Sequence, residues 1–595
     1  MVAARDRDGA LMQADPVYDL RRSGSMTRLL RNRLVLVGLM APIVWASAGT
    51  VVMAQTTATL VRVYQGSTTA PAVTISVAPS SASIAPGATV QFAASVTGTT
   101  NTSVVWTATG GTISTAGLYA AGQTAGTYRI TATISGGTIS GSAAVTIGNS
   151  GSDSVDISPG QDIQAQINSF PNGTAFRLKA GVHRLRAPLV PRGGNVFVGE
   201  SGTVVSGARL LTTFSRSGSY WVVDGQTQQG EVHGACEAAY PRCSRPEDLY
   251  IDDIMLQHVS SLAGVGPGKW YFDYDGDRIF FYDDPTGRRV ETTVTRHAFG
   301  GSAPHVTISQ LVIEKFANPA QAGAIEGDHT SLWTVQNNEV RFNHGVGIRL
   351  GHGMKVVRNA VHRNGQLGVG GVGDDVLVEQ NTIAYNNTAH HSVGWEAGGT
   401  KFVNTLRLVV RGNQVHHNDG PGLWTDINNR DTLYENNTVE DNTGNGIFHE
   451  VSYAAIIRNN VVRRNGKYTG LAWSGGAGIV VAASPNVQIY GNSLASNANG
   501  IIAIQQNRAN EGAYGQTIIE NLDVRDNAVL TSSGTSAGLL QDINDSSYFT
   551  SRNNRFQNND YQLGTVARPF AWSNQDLEEQ QWQSYGQDTL GSFTR

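Results

Sequence analysis

Cysteine is nearly missing from this chain. Its 595 residues hold only two, Cys236 and Cys243, in "GACEAAYPRCSRP". No further Cys accompanies them and the spacing is not CxxC, which weighs against a metal pair. In an exported protein the natural reading is a disulfide closing a small loop. Charge is also scarce, at 15% of residues with a formal net charge of −4. Without a dense basic stripe there is no electrostatic case for a nucleic-acid partner. No motif calls for an organic cofactor. What is abundant is glycine, 69 residues of it, as suits a loop-rich β protein longer than one average domain.

The N-terminal region, residues 1–54, carries an export pattern. Arg28, Arg31 and Arg33 precede the apolar run "LVLVGLMAPIVWASAGTVVMAQ", which ends in small residues before Gln55. A basic segment, an apolar segment and a small-residue cut site describe a secretory signal peptide. A retained membrane anchor is the alternative, because the run is nearly long enough to span a bilayer. The polar residues ahead of Met26 leave the start at Met1 or Met26 open. Export places the mature chain outside the cell, at its surface or in a periplasm.

Between Thr56 and Ser150 the charged residues are Arg62 and Arg129 alone. Alternating runs such as "TVQFAASV" and "TYRITATI", broken by Gly and Pro turns, predict a small β-sandwich. Residues 71–148 resemble a bacterial immunoglobulin-like domain of the Big type, a resemblance that implies a spacer or adhesion unit. In the following "DIQAQINSFPNG", Ile163 and Ile167 share a helical face that could cover the open end of a stack of strands.

From residue 330 a phrase recurs: apolar pair, polar residue, Asn, any residue, apolar residue. It places asparagines at 338, 359, 381, 413, 437, 460, 492, 527 and 554, at intervals of 21 to 35 residues. A period slightly above 20 with short β runs signals a solenoid. Leucine-rich repeats are excluded because Leu at fixed offsets is missing. A parallel β-helix fits, with stacked Asn at a constant turn and right-handedness from the general chirality of parallel crossovers. The fold class is therefore all-β: a right-handed parallel β-helix over residues 155–590, interrupted by a β-sandwich insert at 205–298.

That register aligns two acids. "GLWTD" and "GIFHE" end at Asp426 and Glu450, each 13 residues after its repeat asparagine. Neighbouring parallel strands lie about 4.8 Å apart, so the carboxyl groups should be roughly 5 Å apart. The equivalent position is neutral in other coils: Gly351, Ala482 and Ile504. Glu396 in "SVGWE" joins the row only through a two-residue insertion. Two acids stacked without an interleaved cation oppose joint ionisation, which points to a reaction or a metal.

The phrases "DGPGLWTDINN" and "GNGIFHEVSY" resemble the retaining β-helix glycosidases of glycoside hydrolase family 120, the β-xylosidase kind. Two further stretches extend the resemblance over residues 155–590. One is "LYIDDIMLQHVSSLAGVGPGKWYFDYDGDRIFFYDDPTGRRVETTV", like that family's intercalated sandwich; the other is the C-terminal "RPFAWSNQDLEEQQWQSYGQDT". The resemblance implies Asp426 as nucleophile and Glu450 as general acid/base, acting on an oligosaccharide or polysaccharide. Candidate substrate-binding residues are Trp395 and Trp424 for stacking, with His390, His391, Glu396, Lys401 and His449 for hydroxyls or a uronate. Two other readings remain at this stage. A polysaccharide lyase or uronate epimerase would use Lys401, His449 or Arg430 against a carboxylate, with Ca²⁺ on the acids. A surface glycan-binding protein would do no chemistry. On the hydrolase reading no cofactor or metal is expected.

Overall fold

The computed structural model describes residues 73–595 except 85–86, 123–125, 148–153, 467–474, 509–510 and 532. The export segment expected over residues 1–54 lies outside the described residues. Among the described residues no helix is long and apolar enough to cross a membrane.

Residues 74–147 form short strands in sheets of two, four and three. Alternation makes them: in Gly126–Ile134 the side chains of Ile130, Ala132 and Ile134 turn inward while their neighbours stay wetter. Phe92, Tyr119, Ile130 and Val145 are fully buried between these sheets.

From Val155 onward the chain winds into a right-handed parallel β-helix. Two faces are parallel sheets of 13 strands and the third is a sheet of 11 strands. A single coil shows the rule. Thr334–Gln336 lies in the first sheet, Glu339–Arg341 in the second and Val346–Leu350 in the third. Every inward position stacks on its equivalent one coil on. Val335 lies on Val356, Val378 and Val410 in the first sheet, and Val340 on Val361, Ile383 and Val415 in the second. All eight are fully buried. β-Branched side chains suit this because their stiff rotamers pack well on a pleated surface.

The bend between the first two sheets takes two residues, the first left-handed and the second Asn. At Asn337, Arg358, Asn436 and Asn459 φ is +54° to +56°, a conformation costly for most side chains. The following asparagine offsets that cost. Asn359 Oδ1 accepts from both the backbone and side-chain N–H of Asn338 at 3.0 Å, and its own Nδ2 donates to Val335 O at 2.9 Å. The ladder runs from Asn338 through Asn527 as the sequence predicts, but then steps to Asn559 and Asp588. Asn554 is a correction: its side-chain oxygen accepts from Leu522 N–H, outside the row. A second ladder, five residues on, was not anticipated. Asn343, Asn364, Asn386, Asn418, Asn442, Asn465 and Asn497 bond in series at the next bend.

The insert leaves the solenoid without breaking it. Strand Thr203–Ser206 pairs directly with Val312–Glu314, and Val196–Gly199 with Thr307–Ser309. Between them, residues 208–293 form sheets of four and five strands around Leu249, Trp270, Phe272 and Phe281. The Cys236–Cys243 disulfide is present, with Cα atoms 5.5 Å apart. Helix Ile163–Ser169, capped by Asp162 on Ala165 N–H, buries Ile163 and Ile167 in the main core. At the other end Trp582 stacks on Phe570 with ring centres 4.9 Å apart.

Candidate active site

Strand alternation decides which side chains the third sheet offers. Leu423, Thr425, Ile447 and His449 point into the coil; Trp424, Asp426, Phe448 and Glu450 point out. The two strands pair in parallel, Leu423 with Ile447 through Asp426 with Glu450, so the acids are direct cross-strand neighbours. The next positions in the row are Ala482 and Ile504. No cation interleaves the acids within the row.

Cations approach from outside it. Lys401 Nζ lies 3.0 Å from Asp426 Oδ2 and 3.4 Å from Glu396 Oε2. Burial pushes the Lys401 ammonium down, but Glu396, Asp426 and Glu450 together outweigh it and raise its pKa. On the opposite side Arg508 Nη1 donates to Glu450 Oε2 at 2.5 Å. Trp424 Nε1 donates to Glu450 Oε1 at 3.0 Å. The Glu450 carboxyl is pushed up to about 7, first by burial and next by the charge of Asp426, against the lowering pull of Arg508 and Lys401. The two acids are thus set apart electrostatically, Asp426 paired with an ammonium and Glu450 retaining its proton near neutrality.

Arg508 arrives on a strap unseen in the sequence. Glu511–Gly512 and Gly515–Gln516 pair as a hairpin whose residues bond to an earlier coil. Tyr453 OH donates to Gly515 O at 2.8 Å, Ala513 N–H donates to Asn428 Oδ1 at 2.9 Å, and Arg430 covers the Tyr514 ring at 4.4 Å. The signal available was the 35-residue interval from Asn492 to Asn527, a coil with about a dozen residues to spare.

The structure corrects several expected substrate contacts. His449 is fully buried inside the coil, where Nδ1 accepts from Thr425 Oγ1 at 2.7 Å and Nε2 donates to Tyr453 O at 2.7 Å. Burial holds it neutral, with a pKa near 4, so it reaches no ligand. Trp424 has both faces taken, by Phe448 stacked at 5.7 Å and Lys401 at 4.2 Å; it orients Glu450 rather than stacking on a sugar. His391 is buried 3.3 Å from Cys243 Sγ under the disulfide. His390 faces Glu237 and Asp419, away from the acids' row. Glu396 precedes strand Gly398–Leu406 and so lies outside the row, yet joins the cluster through Lys401. It also accepts from Gln321 Nε2 at 2.8 Å. Trp395 is half-buried, edge-on to His233 at 5.5 Å.

Residues 323–481 match a family described as a right-handed beta helix region. They include both acids. Curated proteins yield no match. Among solved structures, a complex of XylC with xylose is similar at 13% identity and a TM-score of 0.52, over 73% of this chain and 82% of that one. A mannuronic acid specific family 6 polysaccharide lyase from human gut microbiota aligns at 11% identity and a TM-score of 0.40, over 73% and 93%. PfbA, a surface adhesin of Streptococcus pneumoniae, aligns at 8% identity and a TM-score of 0.37, over 69% and 85%. At 13% identity the likeness to the XylC complex is one of fold.

Proposed function

We propose that this protein is a carbohydrate-processing enzyme, a retaining glycoside hydrolase with Asp426 as nucleophile and Glu450 as general acid/base. The observation that carries the reading is the cross-strand pairing of Asp426 with a buried Glu450 whose pKa is lifted to about 7. Adjacent strands put such carboxyls roughly 5 Å apart, the separation used by retaining rather than inverting enzymes. Asp426 attacks the anomeric carbon while Glu450 protonates the leaving oxygen; Glu450 then deprotonates the water that releases the sugar. Trp424 and Lys401 act by holding the two carboxyl groups in place.

Charge favours a neutral sugar. Around the paired acids, Glu396, Asp426 and Glu450 outnumber the cations that contact them, Lys401 and Arg508. Lyase or epimerase chemistry needs a cation free to meet a uronate carboxylate, and Lys401 is already engaged by Glu396 and Asp426. Export of the chain and a glycan partner outside the cell belong to the same proposal.

Wild type and Asp426→Asn screened against polysaccharides and aryl glycosides, reading reducing ends and unsaturated-sugar absorbance together, test it. Reducing ends without unsaturation, lost in the variant, are expected. Unsaturated product would make the chain a lyase, and binding without turnover in both proteins would leave a glycan-binding module.

A further inference from the structure

The disulfide loop of the insert lies against two successive coils, and three potential metal ligands converge there. Glu237, His390 and Asp419 each offer one donor atom, all within 4.8 Å of one another. His390 Nδ1 is 3.6 Å from Glu237 Oε2 and 3.9 Å from Asp419 Oδ2. Those separations are too long for hydrogen bonds, which close to about 2.7–3.2 Å. They are near the ~3.3 Å between ligands on a tetrahedral ion with ~2.0–2.1 Å bonds.

Two of the ligands are held from behind, and the third is fixed through its backbone. The His390 ring stacks on Tyr240 with centres 3.6 Å apart and planes 13° apart. Asp419 Oδ1 accepts from Thr443 Oγ1 at 2.8 Å, leaving Oδ2 toward His390. The Glu237 backbone N–H donates to His390 O at 3.1 Å, fixing the disulfide loop to the coil. Partners that orient ligands in this way are the usual companions of a metal site. Two carboxylates and a neutral imidazole sum to −2, matching a divalent ion. The three side chains are 25% to 37% exposed, leaving room for a water as fourth ligand.

We propose that Glu237, His390 and Asp419 bind a divalent transition-metal ion of the zinc type. An imidazole donor selects such an ion over Ca²⁺ or Mg²⁺, which prefer all-oxygen sites. The ion joins the insert to the loop carrying Glu396 and to the turn leading into the Asp426 strand. It therefore braces the walls of the candidate site without entering the chemistry, and it replaces the expectation that the chain holds no metal.

The test uses the full chain, treated with chelator and titrated with Zn²⁺ by calorimetry, with melting temperature read in parallel. One Zn²⁺ per chain and a raised melting temperature are expected. His390→Gln and Asp419→Asn should each weaken binding at least tenfold and abolish the thermal shift, while circular dichroism stays unchanged. Glu237→Gln, on the loop, provides the same readout if either of the others fails to fold. Zn²⁺ binding that is undetectable, or equal in wild type and variants, would overturn the site. Ca²⁺ stabilising wild type and His390→Gln alike would overturn the imidazole's role.

Discussion

Glu450 sits where burial and a neighbouring acid raise its proton affinity while Arg508 and Lys401 lower it, and the balance falls near neutrality. In the proposed role of general acid it must hold its proton, so hydrolysis should decline as pH rises through about 7. A rate profile whose alkaline limb lies well above 9 would remove Glu450 from that role. The same shift bears on stability. The folded pKa exceeds the free value of 4.5, so the native state binds this proton more tightly between pH 4.5 and 7. The resulting stabilisation is full below 4.5 and is lost as pH rises through 7. Glu450→Gln removes the burden of a buried charge: it should be more stable than wild type at pH 8, by on the order of 1–3 kcal/mol, and match wild type at pH 4. Its activity should fall by about 10²–10⁴-fold. At this scale the pairing of the acids was legible; His449 was expected on substrate, although its alternation with Ile447 places it inside the coil. Trp424 was less legible, because nothing in "GLWTD" says that Lys401 and Phe448 cover both ring faces.

The elements explain which parts could be read. The seven coils from Asn338 to Asn492 repeat Asn-x₄-Asn, as in "NEVRFN", "NTVEDN" and "NVVRRN", and both asparagines form ladders. Only the first was anticipated, although the second is equally regular. Asn437 accepts from Asn413 N–H and Nδ2 at 3.0 Å and donates to Val410 O and Asn460 Oδ1 at 2.9 and 3.0 Å. Asn437→Ala orphans several buried polar groups and should cost about 3 kcal/mol, measured by denaturant titration; a loss under about 0.5 kcal/mol would show the ladder to be incidental. The strap was illegible because an insertion has no register to fix where it lands. Tyr453 holds it, its hydroxyl bonding both Gly515 O and Tyr514 N–H. Tyr453→Phe should loosen Arg508 from Glu450 and move the alkaline limb to higher pH, with the fold retained. An unmoved limb would separate the strap from the proton's energetics.

At the scale of the whole molecule, the solenoid is a ruler. A coil that advances one strand per turn places Glu450, 24 residues after Asp426, directly beside it, and this is why a sequence interval foretold a pairing. The insert departs and returns between paired strands, so its length leaves the register intact, and it delivers Glu237 to the loop bearing His390. Contacts between the insert and the coils depend on tertiary packing alone and had no counterpart in the repeat. The central claim is that the ruler brings a nucleophile and an acid together. Its most direct test is mass spectrometry of the full chain after incubation with activated 2-fluoro glycosides of the sugar identified in the substrate screen. The account predicts one covalent glycosyl group per chain, mapped to Asp426 and absent in Asp426→Asn. A label on another residue, or no label with product of inverted anomeric configuration, would contradict it.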